Sequence, residues 1–139
     1  VARAAGQKAG HDLTIVVPNG AEERMLRSIL SETVIYRLYT NNYAPTETSE
    51  ASDFTEAAGH GYVSAVLTPG GWNYAQGVPT VASYANQTFS FTGALGTVYG
   101  YFVTRQSDGA LMWAESFATP VLVDTSGDSI MVSPRFSAE

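Results

Sequence analysis

The sequence predicts a mainly β fold, an antiparallel β-sandwich with one short N-terminal helix and an extended N-terminal arm. Three observations carry this expectation. Residues 98–117, VYGYFVTRQSDGALMWAESF, read as two strands joined by a tight turn at Asp108-Gly109, where glycine takes positive φ without steric cost. Short alternating apolar runs recur along the chain, each bounded by Gly, Pro, Asn or Asp. Only residues 21–30 carry convincing helical spacing.

Taken in order, residues 1–11 are small, polar and locally basic, with Arg3 and Lys8 and no period of either kind. They are expected to be an arm, mobile in isolation, ahead of a single domain over residues 12–139. The β-branched run at 13–17 predicts a short strand stopped by Pro18-Asn19-Gly20. In the helix, Glu22 and Glu23 occupy the first turn, where carboxylates complement the macrodipole. Met25, Leu26, Ile29 and Leu30 form its apolar stripe. Residues 33–39 alternate as a strand, with Val34, Tyr36 and Leu38 opposed to Ile35, Arg37 and Tyr39.

Residues 40–60 form a long polar loop bearing Glu47, Glu50, Asp53 and Glu56, with Phe54 expected to anchor its middle. Loops of this length in a small domain are usually functional or ordered by a partner. Residues 61–67 return to strand and stop at Pro69-Gly70-Gly71, and a short strand is expected at 72–74. Residues 87–92 set Phe89 and Phe91 against Thr88, Ser90 and Thr92, as in a half-buried strand. After the hairpin come strands at 121–123 and 130–136, separated by a turn at 125–128. Pro134 has no N–H to donate, which places the last strand at an edge or marks a bulge. No internal repeat is visible.

Strict alternation puts Tyr99 and Tyr101 on one face of the hairpin's first strand and Val98 and Phe102 on the other. In the second strand it opposes Leu111, Trp113 and Phe117 to Ala110, Met112 and Ala114. A strand pair apolar on both faces must be covered on both, by its own domain or by a neighbouring subunit.

At 139 residues the chain is sized for one domain with a core of its own. It has no cysteine, which excludes disulfides, thiolate metal sites and a cysteine nucleophile. A net charge of -6 argues against binding nucleic acid through phosphates or docking on an anionic membrane. Charged residues are only 14% of the chain, with Tyr, Thr, Ser, Ala and Gly in their place, a composition suited to β-surfaces and assembly interfaces. No apolar run approaches the roughly 20 residues of a membrane span. No apolar segment follows Arg3 and Lys8, so no secretory signal is expected.

Residues able to do chemistry are sparse and scattered. The two histidines, His11 and His60, lie in the arm and in a glycine-flanked loop, and a metal site would require them to meet and recruit a carboxylate. No G-x-S-x-G elbow or phosphate loop is present. The acidic loop lacks the spacing of a calcium-binding EF-hand. Glu115 is the best candidate for a catalytic carboxylate, but a solvent-facing Glu115, or one paired with Arg105 across the hairpin, explains it better. Asn86-Gln87-Thr88 matches a glycosylation sequon without a secretion signal. Trp72, Tyr74, Tyr99, Tyr101 and Trp113 could stack on a sugar, although aromatics at strand spacing usually fill a core. No enzymatic activity, cofactor or small-molecule ligand is expected.

Three segments together carry a resemblance: VIYRLYTNN (34–42), PTETSEASDFTEAAGHGYVSAVL (45–67) and the hairpin 98–117. Their order is a strand ending in an Asn-rich turn, an acidic loop closing on a Gly-Tyr strand, then a Tyr-Gly-Tyr strand and a Trp-Ala-Glu strand. This resembles the small structural proteins encoded among the head and tail genes of tailed bacteriophages, over roughly residues 16–136. The resemblance implies a virion component, a capsid decoration (cement) protein made in the host cytoplasm and bound to the major capsid protein. It brings no catalytic residues with it. A homotrimer is expected, with Arg3, Lys8, Phe54, Tyr99, Tyr101 and Trp113 as partner contacts. The basic arm of an otherwise acidic protein would suit an acidic capsid exterior. The alternatives are a tail or head-fibre module and a carbohydrate-binding module.

Overall fold

The computed structural model describes residues 15–138. One helix, α1 (Asn19–Ile29), precedes nine strands: β1 (Val34–Tyr39), β2 (Ala65–Leu67), β3 (Asn73–Ala75), β4 (Thr80–Ser83), β5 (Gln87–Ser90), β6 (Gly96–Arg105), β7 (Leu111–Val123), β8 (Ser129–Val132) and β9 (Arg135–Ala138). The fold is mainly β and every strand pairing is antiparallel, as the sequence predicts. One layer is the four-stranded sheet β2-β1-β6-β7; opposite it lie the sheet β3-β4-β9 and the ribbon β5-β8. Their inward side chains meet in a single core. Val34, Tyr36, Leu38, Leu67, Val98, Val103 and Val123 come from the first layer, Ala82, Phe89, Ile130 and Val132 from the second. Leu26 and Leu30 bring α1 onto this core, over β4 and β9.

β1 alternates as expected, with Val34, Tyr36 and Leu38 all buried. It sits between β2 and β6, and its register pairs Tyr36 with Val103 and Arg37 with Phe102. The helix departs from expectation in its stripe. Leu26 and Leu30 are buried, but Met25 and Ile29 remain 54% and 41% exposed, because α1 lies across β4 and β9 along a single ridge. Glu22, in the helix's first turn as expected, is also buried and accepts a 2.6 Å hydrogen bond from the Thr80 hydroxyl.

Several expected boundaries move. The strand expected at 13–17 does not form over its described part: Ile15, Val16 and Val17 are exposed and pair with no strand among the described residues, and β propensity without a ladder partner makes no strand. The strand expected from residue 61 begins only at Ala65. Gly59, His60 and Gly61 all have positive φ, and so many left-handed residues in succession cannot join a ladder. β4, the centre of its sheet, was not anticipated; it follows Pro79 and carries only four residues. The hairpin's second strand, expected over 110–117, and the strand expected at 121–123 are one continuous β7. Pro120 is tolerated because β7 is an edge and is bulged there. The last strand is split, with Ser133-Pro134 carrying the chain from β8 in the ribbon to β9 in the other sheet.

Two irregularities set the faces of the hairpin. Val98 pairs with Val121 and Gly100 with Ser116, so Tyr99 alone faces residues 117–120. Val103 pairs with Trp113 and Thr104 with Leu111, which leaves Met112 as an extra residue. Strict alternation therefore fails at both points. Val98, Tyr101 and Trp113 face the main core, while Tyr99, Phe102, Leu111 and Ala114 face a second, smaller one. Tyr99 and Tyr101 thus part company, as do Leu111 and Trp113, contrary to the simple period-two reading.

Candidate interaction surface

The second core explains the long loop. Phe54 is 93% buried and stacks flat on Phe102, with ring centroids 4.7 Å apart and planes 8° from parallel. Tyr39 and Tyr43 close on it edge-to-face at 4.9 and 5.2 Å. Both faces of the hairpin are therefore covered by the chain itself, one by the sandwich interior and one by residues 40–60.

Polar straps hold the loop down. Glu56 bridges to Tyr39 in the sheet and accepts from Arg37 Nη1 at 3.0 Å and from the Tyr62 hydroxyl at 2.7 Å. Arg37 Nε donates to Thr104 Oγ1 at 3.0 Å, and the Tyr62 oxygen also accepts the Leu38 N–H at 3.1 Å. Burial, then the bond to the Glu56 carboxylate, pushes the Tyr62 phenol well above its ordinary range. The Asn41 side chain closes the loop's neck, donating to Asp53 O at 2.9 Å and accepting from Thr55 N at 2.8 Å. Within the loop, Ser49 Oγ accepts the Thr46 N–H at 2.8 Å and lies 2.7 Å from the Tyr43 hydroxyl.

Between this strapped loop and the start of β7 runs a groove. One part, of about 530 Å³, is lined by Pro45, Thr46, Glu47 and Ser49 facing Leu111, Met112, Trp113 and Ala114. A second part, sharing Ser49 and Leu111, continues past Glu50 to Asp108 and Gly109. β7 is the edge of its sheet, so along the groove floor alternate backbone N–H and C=O groups have no strand partner among the described residues. The rim is acidic. Asp108 is tied to Arg105, which also bonds Glu32, whereas Glu47 and Glu50 have no ion-pair partner among the described residues. The Arg105 guanidinium, aided by the Ala110 N–H, holds the Asp108 carboxyl down at about 2.

Of the expected partner contacts, Phe54 is interior and Tyr99 and Tyr101 are half-buried; Tyr101 stacks on Tyr36 at 5.3 Å. Trp113 alone lines the groove, with its ring edge-on to Phe136 at 5.0 Å. Arg3 and Lys8, with the rest of the expected arm, lie outside the described residues. Arg105 pairs with Glu32 and Asp108, not Glu115; Glu115 is exposed opposite Tyr101. Trp72, offered to a sugar in the carbohydrate reading, is buried edge-on to Tyr84 at 5.2 Å. Sequence reasoning missed Pro45, Glu47, Ser49 and the β7 edge. The loop's acids were visible, but nothing local showed which strand they would overhang.

His60 is exposed in its glycine turn, and no group of three or more His, Asp or Glu side chains is placed to hold a metal among the described residues. No described helix is long and apolar enough to cross a membrane. Compared with protein-family models, curated proteins and solved structures, the chain matches none.

Proposed function

We propose that this chain is a non-enzymatic structural protein of a tailed-phage virion, a decoration (cement) protein that stabilises the head by binding the shell of major capsid protein. The observation that carries the reading is the open β7 edge beside a rigidly strapped loop. An edge strand offers backbone hydrogen bonds to any extended segment, and a flanking groove adds side-chain selection, which is how one protein grips another's loop or arm. The surrounding fold is a stiff platform: the loop overhanging the edge is held by aromatic stacking and by the Glu56 bonds. The resemblance of residues 34–42, 45–67 and 98–117 to phage head and tail proteins supports the same reading.

The test is co-sedimentation of the purified protein with heads assembled from the phage's major capsid protein and lacking this chain. Saturable binding and a raised head-melting temperature are expected, with cryo-EM density on the outer shell. Failure to bind heads, or density only on the tail or a fibre, overturns the decoration role.

A further inference from the structure

The acidic-rimmed groove also bears on self-association. We propose that residues 1–11 of a second copy of this chain add as a strand to the β7 edge, beneath the loop at residues 45–50. This concerns the chain's contact with itself and stands apart from whether a capsid is its other partner.

The first argument is backbone geometry. β7 is the edge of its sheet with no second strand partner among the described residues, and residues 111–114 form the floor of the groove. At about 3.3 Å per residue they offer roughly 13 Å of ladder, enough for a four-residue segment. The second is size. A segment laid on the floor must fit the about 530 Å³ between it and the wall of Pro45, Thr46, Glu47 and Ser49. Between Arg3 and Lys8 the segment carries Ala4, Ala5 and Gly6, with Gln7 as its one longer side chain.

The third is charge. Glu47 stands over the first part of the groove and Glu50 over the second. Arg3 and Lys8 are cations in a segment with no acidic residue, on a chain of net charge -6. Five residues apart, they are separated by roughly 17 Å when extended, a span that brackets the floor. Opposite potentials on segment and groove steer the encounter and fix register more than they add raw affinity. The contact is heterologous, one copy's segment on the next copy's edge, so it gives a ring where the rotation between copies closes and an open chain of copies where it does not. A trimer is one such ring.

Charge exchange in the full-length chain tests this by light scattering at low salt. The unaltered protein is expected to form a discrete oligomer that dissociates as salt rises. Two variants, Arg3→Glu/Lys8→Glu and Glu47→Lys/Glu50→Lys, should each weaken association by roughly tenfold or more. Combined in one chain, the four substitutions should restore it, because each acidic segment then meets a basic groove. Backbone amide shifts at residues 111–114 should move on association. Glu47 and Glu50 lie outside both cores, and Arg3 and Lys8 lie outside the described residues; circular dichroism of each variant should match the parent. A monomer under all conditions, an oligomer indifferent to both variants, or a fourfold variant that does not reassociate would overturn the proposal.

Discussion

The Tyr39 hydroxyl lies 2.7 Å from the place where a Cβ on Gly100 would stand. Gly100 is paired with Tyr39 on one side and Ser116 on the other, in the middle of the four-stranded sheet. The missing side chain lets Tyr39 lie over the strand, pack on Phe54 and donate its hydroxyl to Tyr43 O at 3.0 Å. The same Cβ would approach Glu115 O to 2.2 Å, and that backbone cannot swing away. Gly100→Ala is therefore expected to destabilise the fold by roughly 2–4 kcal/mol, through overpacking. Gly70→Ala, where a Cβ meets open space, is the control and should change stability by less than about 0.5 kcal/mol. Urea denaturation of the two variants checks both values; a mild Gly100→Ala would mean that Tyr39 is free to move.

Phe54 is the only large hydrophobe of the loop's middle, and it fills the second core. Removing its ring leaves a cavity against Phe102, Tyr39 and Tyr43, so Phe54→Ala should cost roughly 3–5 kcal/mol if the loop stays down. If the loop lifts instead, the equilibrium cost falls and residues 44–52 become cleavable. Limited proteolysis together with a denaturation curve distinguishes the two responses. The parent protein should resist cleavage in that loop, because the Glu56 and Asn41 bonds hold both of its ends.

What could be read from the sequence was what local patterning encodes. The alternation of Val34, Tyr36 and Leu38 gave a strand and its inward face, Asp108-Gly109 gave the hairpin, and an isolated Phe54 in a polar loop gave the anchor. The departures are all non-local. Whether Ile15, Val16 and Val17 become a strand depends on a partner edge, and none is offered among the described residues. The faces of Tyr99 and Leu111 are set by bulges, which appear only once the register of β6 on β7 is known. The first-turn place of Glu22 was legible, but its burial was not, because its partner, Thr80, stands far along the chain on a strand too short to announce itself. The groove was hidden for the same reason: residues 45–50 and 111–114 meet only through the tertiary packing of the loop on the sheet.

The Thr80 hydroxyl is the group that satisfies the buried Glu22 carboxylate, at 2.6 Å, and it joins α1 to the centre of the β3-β4-β9 sheet. Thr80→Val keeps the shape and removes the donor, leaving a buried oxygen without its partner. A loss of roughly 1–3 kcal/mol is expected. In the double variant Glu22→Gln with Thr80→Val the uncompensated charge is gone, so part of that loss should return. A double-mutant cycle by chemical denaturation measures the coupling, and additive losses would show that the bond contributes nothing of its own.

The acid limb of stability should carry a trace of Asp108. Its carboxyl is held down to about 2, first by the bond from Arg105 and then by the Ala110 N–H, against about 3.8 when unfolded. A carboxyl whose pKa is depressed by folding contributes stability above its unfolded value and loses it as the pH falls through the folded one. Asp108 is exposed, so the effect is small and salt-sensitive. Asp108→Asn should melt slightly below the parent at pH 7, and the two melting curves should converge as the pH drops from 4 toward 2. A difference that persists below pH 2 would assign the turn's stability to Gly109 and the backbone instead.

The alkaline limb should be governed by the buried phenols. Burial pushes Tyr36 up to about 12, and burial with the nearby Glu115 carboxylate pushes Tyr101 higher still. A phenol with a raised pKa is protonated in the fold where the unfolded chain would already have released the proton. Its contribution is complete below pH 10 and is lost as the pH rises through 10 to 12 and beyond. Tyr36 stacks on Tyr101 and meets Trp113 edge-on at 6.1 Å, so an ionised Tyr36 would place a charge in the main core. The loop packed on the other face of the hairpin, over Phe54 and Phe102, should stay docked until the core itself opens. Phenolate absorbance followed with pH should therefore show a cooperative rise that coincides with loss of the near-ultraviolet circular dichroism signal. Tyr36→Phe, which cannot ionise, should move that unfolding step to higher pH. If it unfolds at the same pH as the parent, Tyr101 and Tyr62 carry the alkaline transition and Tyr36 does not.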